Sequence, residues 1–443
     1  MADPTPPTSS TGASVPVIVE VTNTLALPYT TGYQRVVRSV LSGLDGPAGD
    51  GLEVTPVVRP PELGDYRRLT RDELDRLRRH PPGGRAHRRA DGFGPLAPVV
   101  RSVADLPLTR RARGAVGRQR RRLALTPEIR SLALGLPEIG SVWFDLEPGW
   151  HDPERRADLL PRLRASGVHT AALVADVMPE LFPEWFDRNQ RRLFGDWLRA
   201  HLVSTELFLC ISECTERDLR RVAARAGVTR DLHTEVVPLG ADLPVVEPVP
   251  VGLPLQVGRF LLVVGTIEPR KNQRLAIEAF DRLARRHGDL ALVLVGKQGW
   301  LTEDLVADIR AHPLFGTRLL WLEGIDDAQL AWLYRHAFLA VAPSRYEGLG
   351  VPVMEALHHG CPTISSTGGA LVEAGDGRVE EIDPDDPDGL AVVVELHLVD
   401  AAHHRAAIER AAGYESPRWD DTARAVGRAL RDLGHTRPPL TPS

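Results

Sequence analysis

The second half of the chain alternates short, unbroken apolar runs with amphipathic stretches. The runs at 260–264, 290–295, 319–322, 338–342 and 362–365 are each bounded by turn residues, as expected of strands buried on both faces. Between the first two, a helix over 272–287 places Leu275, Ala276, Ala279, Phe280 and Leu283 on one face. Another helix starts after Asp326, which has the spacing of a capping box with Gln329. The first half repeats the theme, with strands at 16–21, 53–58, 141–144, 170–174 and 207–211. Helices are expected near 33–44, 187–200 and 213–226. Strand–helix alternation of this kind predicts an α/β fold with parallel, doubly wound sheets.

A chain of 443 residues is too long for one ordinary core and suits two domains. A Pro/Gly-rich stretch at 237–260 reads as the linker between them. The expected division is a disordered tail at 1–14, a first domain at 15–245, a second at 258–412 and a final helix at 413–434. Two such domains face a central cleft, where ligands of open α/β sheets bind. The N-terminus lacks the charged and apolar regions of a signal peptide, and no apolar run is long enough to span a membrane. The expected location is cytoplasmic.

Composition narrows the chemistry only slightly. A net charge of −5 does not mark a polyanion binder, and no nucleic-acid partner is expected. Cys210, Cys214 and Cys361 form no disulfide or zinc framework and read as buried small hydrophobes. One segment departs from the average: 59–130 holds nineteen arginines. It reads as a solvated helical face plus loop, or as a surface for anionic lipid headgroups at the inner face of a membrane. The acidic run 383–389 reads as a surface turn, and His358, His359, His403 and His404 as surface residues on helices.

The strongest chemical signal lies at 342–366. A buried strand ends near Pro343, and the loop Glu347-Gly348-Leu349-Gly350 follows. Pro352 then suits the start of a helix, which Gly360 ends. Backbone N–H groups of 348–351 at that helix N-terminus make an anion site. Glu347 lies in the loop and Glu355 one turn into the helix. Two carboxylates beside an anion site suit hydrogen bonding to sugar hydroxyls; Glu355 could equally complement the helix dipole.

The Glu-x7-Glu spacing in "PSRYEGLGVPVMEAL" resembles the signature of retaining glycosyltransferases of family four (group 1 glycosyl transferases), which have the GT-B fold of two Rossmann-like domains. "VVGTIEPRKNQRLAIEAF", "LVLVGKQG", "LEGIDDAQLAWLYRHAFLAVAPS", "ISECTERDL", "VVPLGADL" and the Trp-bearing "SPRWDDTARAV" resemble further segments of that family. The resemblance covers nearly all of 200–430 and, more weakly, 15–45 and 140–190. It implies that Arg270 and Lys271 grip a donor pyrophosphate, Glu355 holds ribose hydroxyls and Glu347 lies near the donor sugar. Gly348, Leu349 and Gly350 then give backbone contacts, Gly265 and Thr266 line the donor site, and Glu323, Gly324 and Ile325 border the base. In the first domain it implies that Gly32 approaches the donor and Arg35 points into the cleft. Without this context, Arg270 and Lys271 would read as exposed turn charges.

The family often carries His before the Asp of "LVADVMPELFPEWF"; here Ala175 precedes Asp176. No catalytic His is therefore assigned. Asp176 becomes the polar candidate for acceptor orientation or as a base, and it could also cap a helix. The implied function is retaining transfer of a sugar from a nucleotide-diphosphate sugar, GDP- or UDP-linked, to a saccharide or lipid-linked hydroxyl. Neither cofactor nor metal is expected. "DVMPELFPEWF" resembles mannosyl- and rhamnosyl-type polymer enzymes, which points towards bacterial surface polysaccharide or glycoconjugate. Alternatives are a sugar-nucleotide epimerase, a phosphorylase, or a non-catalytic sugar-nucleotide-binding protein.

Overall fold

The computed structural model describes residues 14–26, 32–60, 65–78, 132, 134–135, 137–147, 149–151, 153–242, 249–253 and 259–437. The expected tail up to Ala13, residues 79–130 of the arginine-rich stretch, and 243–248 and 254–258 of the linker lie outside them.

Two sheets carry the fold. The first has the order β3-β2-β1-β4-β5-β6-β7, built from β1 (Val15–Glu20), β2 (Leu52–Val58), β3 (Arg67–Arg68), β4 (Val142–Asp145), β5 (His169–Val174), β6 (Leu207–Cys210) and β7 (His233–Val236). All its pairings are parallel except β2 with β3. The second has the order β10-β9-β8-β11-β12-β13, from β8 (Arg259–Val264), β9 (Leu290–Val295), β10 (Leu319–Leu322), β11 (Leu339–Ala342), β12 (Thr363–Ser366) and β13 (Glu380–Ile382). It is wholly parallel. In each sheet the order reverses beside the first strand, and such switch points open a crevice at the strands' carboxyl ends.

The apolar runs are strands for the reason their pattern implies. Every residue of Leu290–Val295 is buried, with helices on both faces of its sheet. The helix Gln273–Ala284 presents Leu275, Ala276, Ala279, Phe280 and Leu283 to that core. Each such Leu or Phe contributes about 1.5–3 kcal/mol on burial. Asp326 and Gln329 form the reciprocal capping box that starts the helix Asp327–His336. The three strands that periodicity does not predict, β3, β7 and β13, are short, polar and at sheet edges.

The final helix, Trp419–Gly434, returns to the first half. Ala425, Val426, Ala429, Leu430 and Leu433 join the core around β1. Trp419 N–H donates to Asp242 at 2.8 Å, and Thr422 Oγ1 accepts from Gly240 N–H at 2.9 Å. Among the described residues no helix is long and apolar enough to cross a membrane. The three cysteines are free and buried.

Candidate functional site

The basic turn is positioned by its own sequence. After β8, Pro269–Lys271 forms one 3-10 turn, and Asn272 follows in the left-handed region. The Asn272 amide donates to the carbonyls of Pro343 (3.1 Å) and Pro384 (2.7 Å). Arg345 N–H donates to the Arg270 carbonyl at 2.7 Å. The turn is thus pinned to the loop that follows β11. Gly265 lies beneath Lys271, where a Cβ would sit 3.2 Å from Lys271 Cε. The Thr266 carbonyl accepts from Gln273 Nε2 at 2.9 Å and closes the turn.

Glu347 is buried and receives three donors: Arg270 Nη1, Lys271 Nζ at 2.6 Å and Ser344 Oγ at 2.7 Å. Burial alone would raise its pKa, but the two cations hold it down to about 2. Arg270 also pairs with buried Glu268 at 2.6 Å. Burial raises the Glu268 pKa, with Arg270 and Lys271 opposing. The two basic residues are therefore engaged in a buried network; the exposed-turn alternative fails because Asn272 folds the turn inward. Ser344 and Glu268 were not singled out from sequence, though each lies within three residues of a named position.

Gly350 caps the helix Val351–His358 with φ of 96°, a backbone region that favours glycine. Gly348 is required by close approach. Its carbonyl accepts from Ser212 Oγ (2.6 Å) and Thr215 Oγ1 (3.0 Å) in the first half, and a Cβ there would lie 2.1 Å from the Ala175 carbonyl. Leu349 packs into the cores of both halves. Glu373 fastens the same seam by accepting from the N–H groups of Glu213 (2.9 Å) and Cys214 (2.8 Å). Gly348→Ala should push the halves apart at a backbone atom that cannot turn aside. The expected loss is about 1–3 kcal/mol, read as a lower urea midpoint; an unchanged midpoint would contradict this contact.

Glu355 is buried one turn into the helix. It accepts from Arg35 Nη1 at 2.6 Å and Tyr334 OH at 3.1 Å. Arg35 comes from the first-half helix Gly32–Leu44 and its other terminal nitrogen pairs with Asp327. Burial raises the Glu355 pKa, with Arg35 acting against it. Arg35 therefore does enter the cleft and ties the halves across it. Tyr334 and Asp327 both lie in the family-like segment 322–344, although neither is named as a site residue from sequence.

The remaining candidates are more dispersed. Asp176 is half-buried and accepts from Met178 N–H at 3.0 Å, one residue before Val177, which caps the helix Met178–Leu181. Asp176 also faces the basic cluster: burial raises its pKa and Arg270 opposes the rise. Gly32 opens its helix exposed. Gly324 is exposed with φ of 73°, and Ile325 packs half-buried beside β10. In the acidic run, Asp386 caps the helix Pro387–Val399 and Asp385 pairs with Arg345. The expectation that His359, His403 and His404 are surface residues is corrected. All three are half-buried, because their helices pack on neighbours; only His358 is exposed.

Sequence reading missed a second buried polar group, at the carboxyl ends of β1 and β4. Arg156 joins Glu20 (2.7 Å) to Asp145 (2.6 Å), and His201 Nε2 lies 3.1 Å from Asp145. Beside it, Glu147 accepts from the N–H groups of Asn23 (2.6 Å) and Thr24 (2.8 Å). Burial pushes its carboxyl up from 4.5 to about 7; these N–H groups oppose the shift and Glu20 adds to it. A raised folded-state pKa contributes stability that is full below pH 4.5 and lost as pH rises through 7. Wild type should lose about 3 kcal/mol from this group between pH 4 and pH 8. Glu147→Gln should remove that dependence, read from urea midpoints at both pH values; equal pH slopes would contradict it.

Residues 255–413 match the family model of glycosyl transferases group 1. The serotype-specific mannosyltransferase WbdA of Escherichia coli is 28% identical over 347 residues, covering 75% of this chain and 36% of that protein. This chain thus spans about a third of that relative's length. The O-antigen chain mannosyltransferase B of Escherichia coli is 28% identical over 239 residues, covering 52% and 61% of the two chains. Sucrose-phosphate synthase from Thermosynechococcus elongatus has the same fold, with a TM-score of 0.60 at 18% identity over 95% of this chain and 99% of that one. The chain has the GT-B fold, and its residues 255–413 match the model of the glycosyl transferases group 1.

Proposed function

We propose that the chain is a retaining hexosyltransferase that uses a nucleotide-diphosphate sugar. The observation that carries this reading is the convergence of Arg270, Lys271 and the N-terminus of Val351–His358 beside ionised Glu347. A sugar–phosphate bond breaks with charge developing on the leaving diphosphate. Two cations and the positive end of that helix supply the field that stabilises it. These groups provide the positive charge that a divalent ion would otherwise bring, and we assign no cofactor or metal to this step.

In this reading Glu355 binds the ribose hydroxyls, and Gly324 and Ile325 border a guanine or uracil base. Gly265, Thr266 and Gly348–Gly350 offer backbone contacts to the diphosphate and sugar. Glu347 stays charged and accepts from sugar hydroxyls. Attack comes from the face that the diphosphate leaves, and a phosphate oxygen takes the acceptor's proton, so the anomeric configuration is retained. Asp176 orients the acceptor hydroxyl. The acceptor is a saccharide or lipid-linked saccharide of a bacterial surface polysaccharide, a choice supported by similarity to the O-antigen chain mannosyltransferase.

Product analysis with GDP- and UDP-sugars and a panel of acceptors tests the reaction. The expected result is nucleoside diphosphate release with a product of the donor's anomeric configuration. Epimerised nucleotide sugar without release, a requirement for inorganic phosphate, or tight binding without turnover would each contradict it. We further propose that the arginine-rich 59–130 segment contacts anionic lipid at the inner face of a membrane. Co-sedimentation with anionic but not neutral vesicles is expected; equal binding to both, or to neither, would contradict it.

A further inference from the structure

Away from the cleft, a second cluster of chemistry-bearing side chains gathers at the edge of the second sheet. The helix Pro387–Val399 ends at Asp400, and the helix Ala401–Ala412 starts there. Asp400 caps the second helix by accepting from the N–H groups of Ala402 (2.9 Å) and His403 (3.1 Å). The corner between them brings His397 and His403 to one side, ring centroids 4.6 Å apart. Facing both is Glu380, the first residue of edge strand β13, paired in register with Ile364.

The ligand atoms of Glu380, His397 and His403 all lie within 4.8 Å of one another. His403 Nε2 is 3.0 Å from Glu380 Oε1, and His397 Nε2 is 3.3 Å from Glu380 Oε2. Ligands bound tetrahedrally at zinc distances stand about 3.3 Å apart. The cluster therefore needs only a small adjustment to close on an ion.

His397 supplies the second, independent observation. Its side chain is 1% exposed, and its Nε2, 3.3 Å from Glu380 Oε2, meets no hydrogen-bond geometry. Its other nitrogen, Nδ1, lies 3.2 Å from Nδ1 of His404. His404 is itself held by stacking on Phe338, centroids 4.2 Å apart. With His397 Nδ1–H donating to His404, the lone pair of His397 Nε2 faces the carboxylate. That is the orientation a metal-binding imidazole needs, with its remote N–H fixed by a neighbour. Without an ion, the same tautomer sets an unpartnered buried lone pair against a carboxylate, an unfavourable pairing.

We propose that Glu380, His397 and His403 bind a zinc ion that clamps the edge strand to the corner between two helices. The donor set, two imidazoles and one carboxylate, suits a borderline divalent metal. Arg410 Nη2 already holds Glu380 Oε1 at 2.6 Å, which leaves Oε2 as the metal ligand. Glu380 and His403 are partly exposed, so solvent completes the fourth position. The solvent position makes this an open zinc site, set apart from the cleft: Glu380 starts β13, whereas Glu347 and Glu355 lie beyond the end of β11.

The test uses untagged full-length protein, stripped with chelator and titrated with zinc, with bound metal measured by calorimetry and elemental analysis. Wild type should take up one equivalent per chain and melt at a higher temperature with zinc than without. Glu380→Gln and His403→Ala should each lose that equivalent and the zinc-dependent shift, while their metal-free circular dichroism matches wild type. His404→Ala should weaken affinity about 10–100-fold through His397. Absence of a stoichiometric site in wild type, or wild-type affinity in either ligand variant, would overturn the assignment. Glu380→Gln keeps the shape of the side chain and guards against a misfolded alanine variant.

Discussion

Arg270→Ala is expected to lower sugar transfer by about 10²–10³-fold, the cost of removing one preorganised charge from a transition-state site. Lys271→Ala should have a similar effect. The pair removed together should cost more, because both press on the same carboxylate and leaving group. Arg270 has a second duty: it neutralises buried Glu268 at 2.6 Å. Its loss leaves that carboxylate, whose pKa is already raised by burial, to take up a proton or remain unpaired. A lower melting temperature should therefore accompany the rate loss. Glu347 is protected from the same fate by Lys271 and Ser344. Arg270→Lys separates the two effects, since it restores charge near Glu268 without the planar fork that grips phosphate. It should recover stability more fully than activity. Steady-state kinetics below the melting transition check this; near wild-type transfer in Arg270→Ala would contradict the assigned role.

Glu355→Ala should act through binding. Two hydroxyls held by a charged carboxylate are worth about 1.5–3 kcal/mol each, so the donor KM should rise about 10²–10⁴-fold. The ribose is remote from the breaking bond, and kcat should change far less. Glu355 is occupied by Arg35 and Tyr334, so donor ribose must share or displace the Arg35 contact. Arg35 retains Asp327 as a partner when it yields. A large fall in kcat with unchanged KM would place Glu355 at the reacting sugar instead.

Much of this was legible in the chain. The central strands β9 and β11 announce themselves because both faces are packed, so their sequences are apolar throughout. β3, β7 and β13 do not, because edge strands present polar residues. Glu347 and Glu355 were readable from the Gly loop and Pro-started helix that carry them, whereas Arg270 and Lys271 stood out only through the family resemblance. What they touch was less so. Arg35 reaches Glu355 across 320 residues of sequence and Arg156 reaches Glu20 across 136. Local periodicity holds no record of partners at that separation. Asp176 shows a different limit: its type suits a cap or a cleft, and only the fold shows that Val177 is the cap while Asp176 bonds the first helical N–H. His397 and His403 beside Glu380 show a third limit: the helix break at Asp400 turns residues six apart towards each other, a juxtaposition that helical periodicity does not mark.

Isothermal titration of GDP and UDP into wild type, the Arg270→Ala/Lys271→Ala double variant and Glu355→Ala tests the donor-site assignment most directly. One nucleotide site per wild-type chain is expected, weakened at least about tenfold in each variant, by the loss of phosphate charge or of ribose hydrogen bonds. Equal affinity in folded wild type and both variants would mean that the nucleotide binds elsewhere, and would contradict the account.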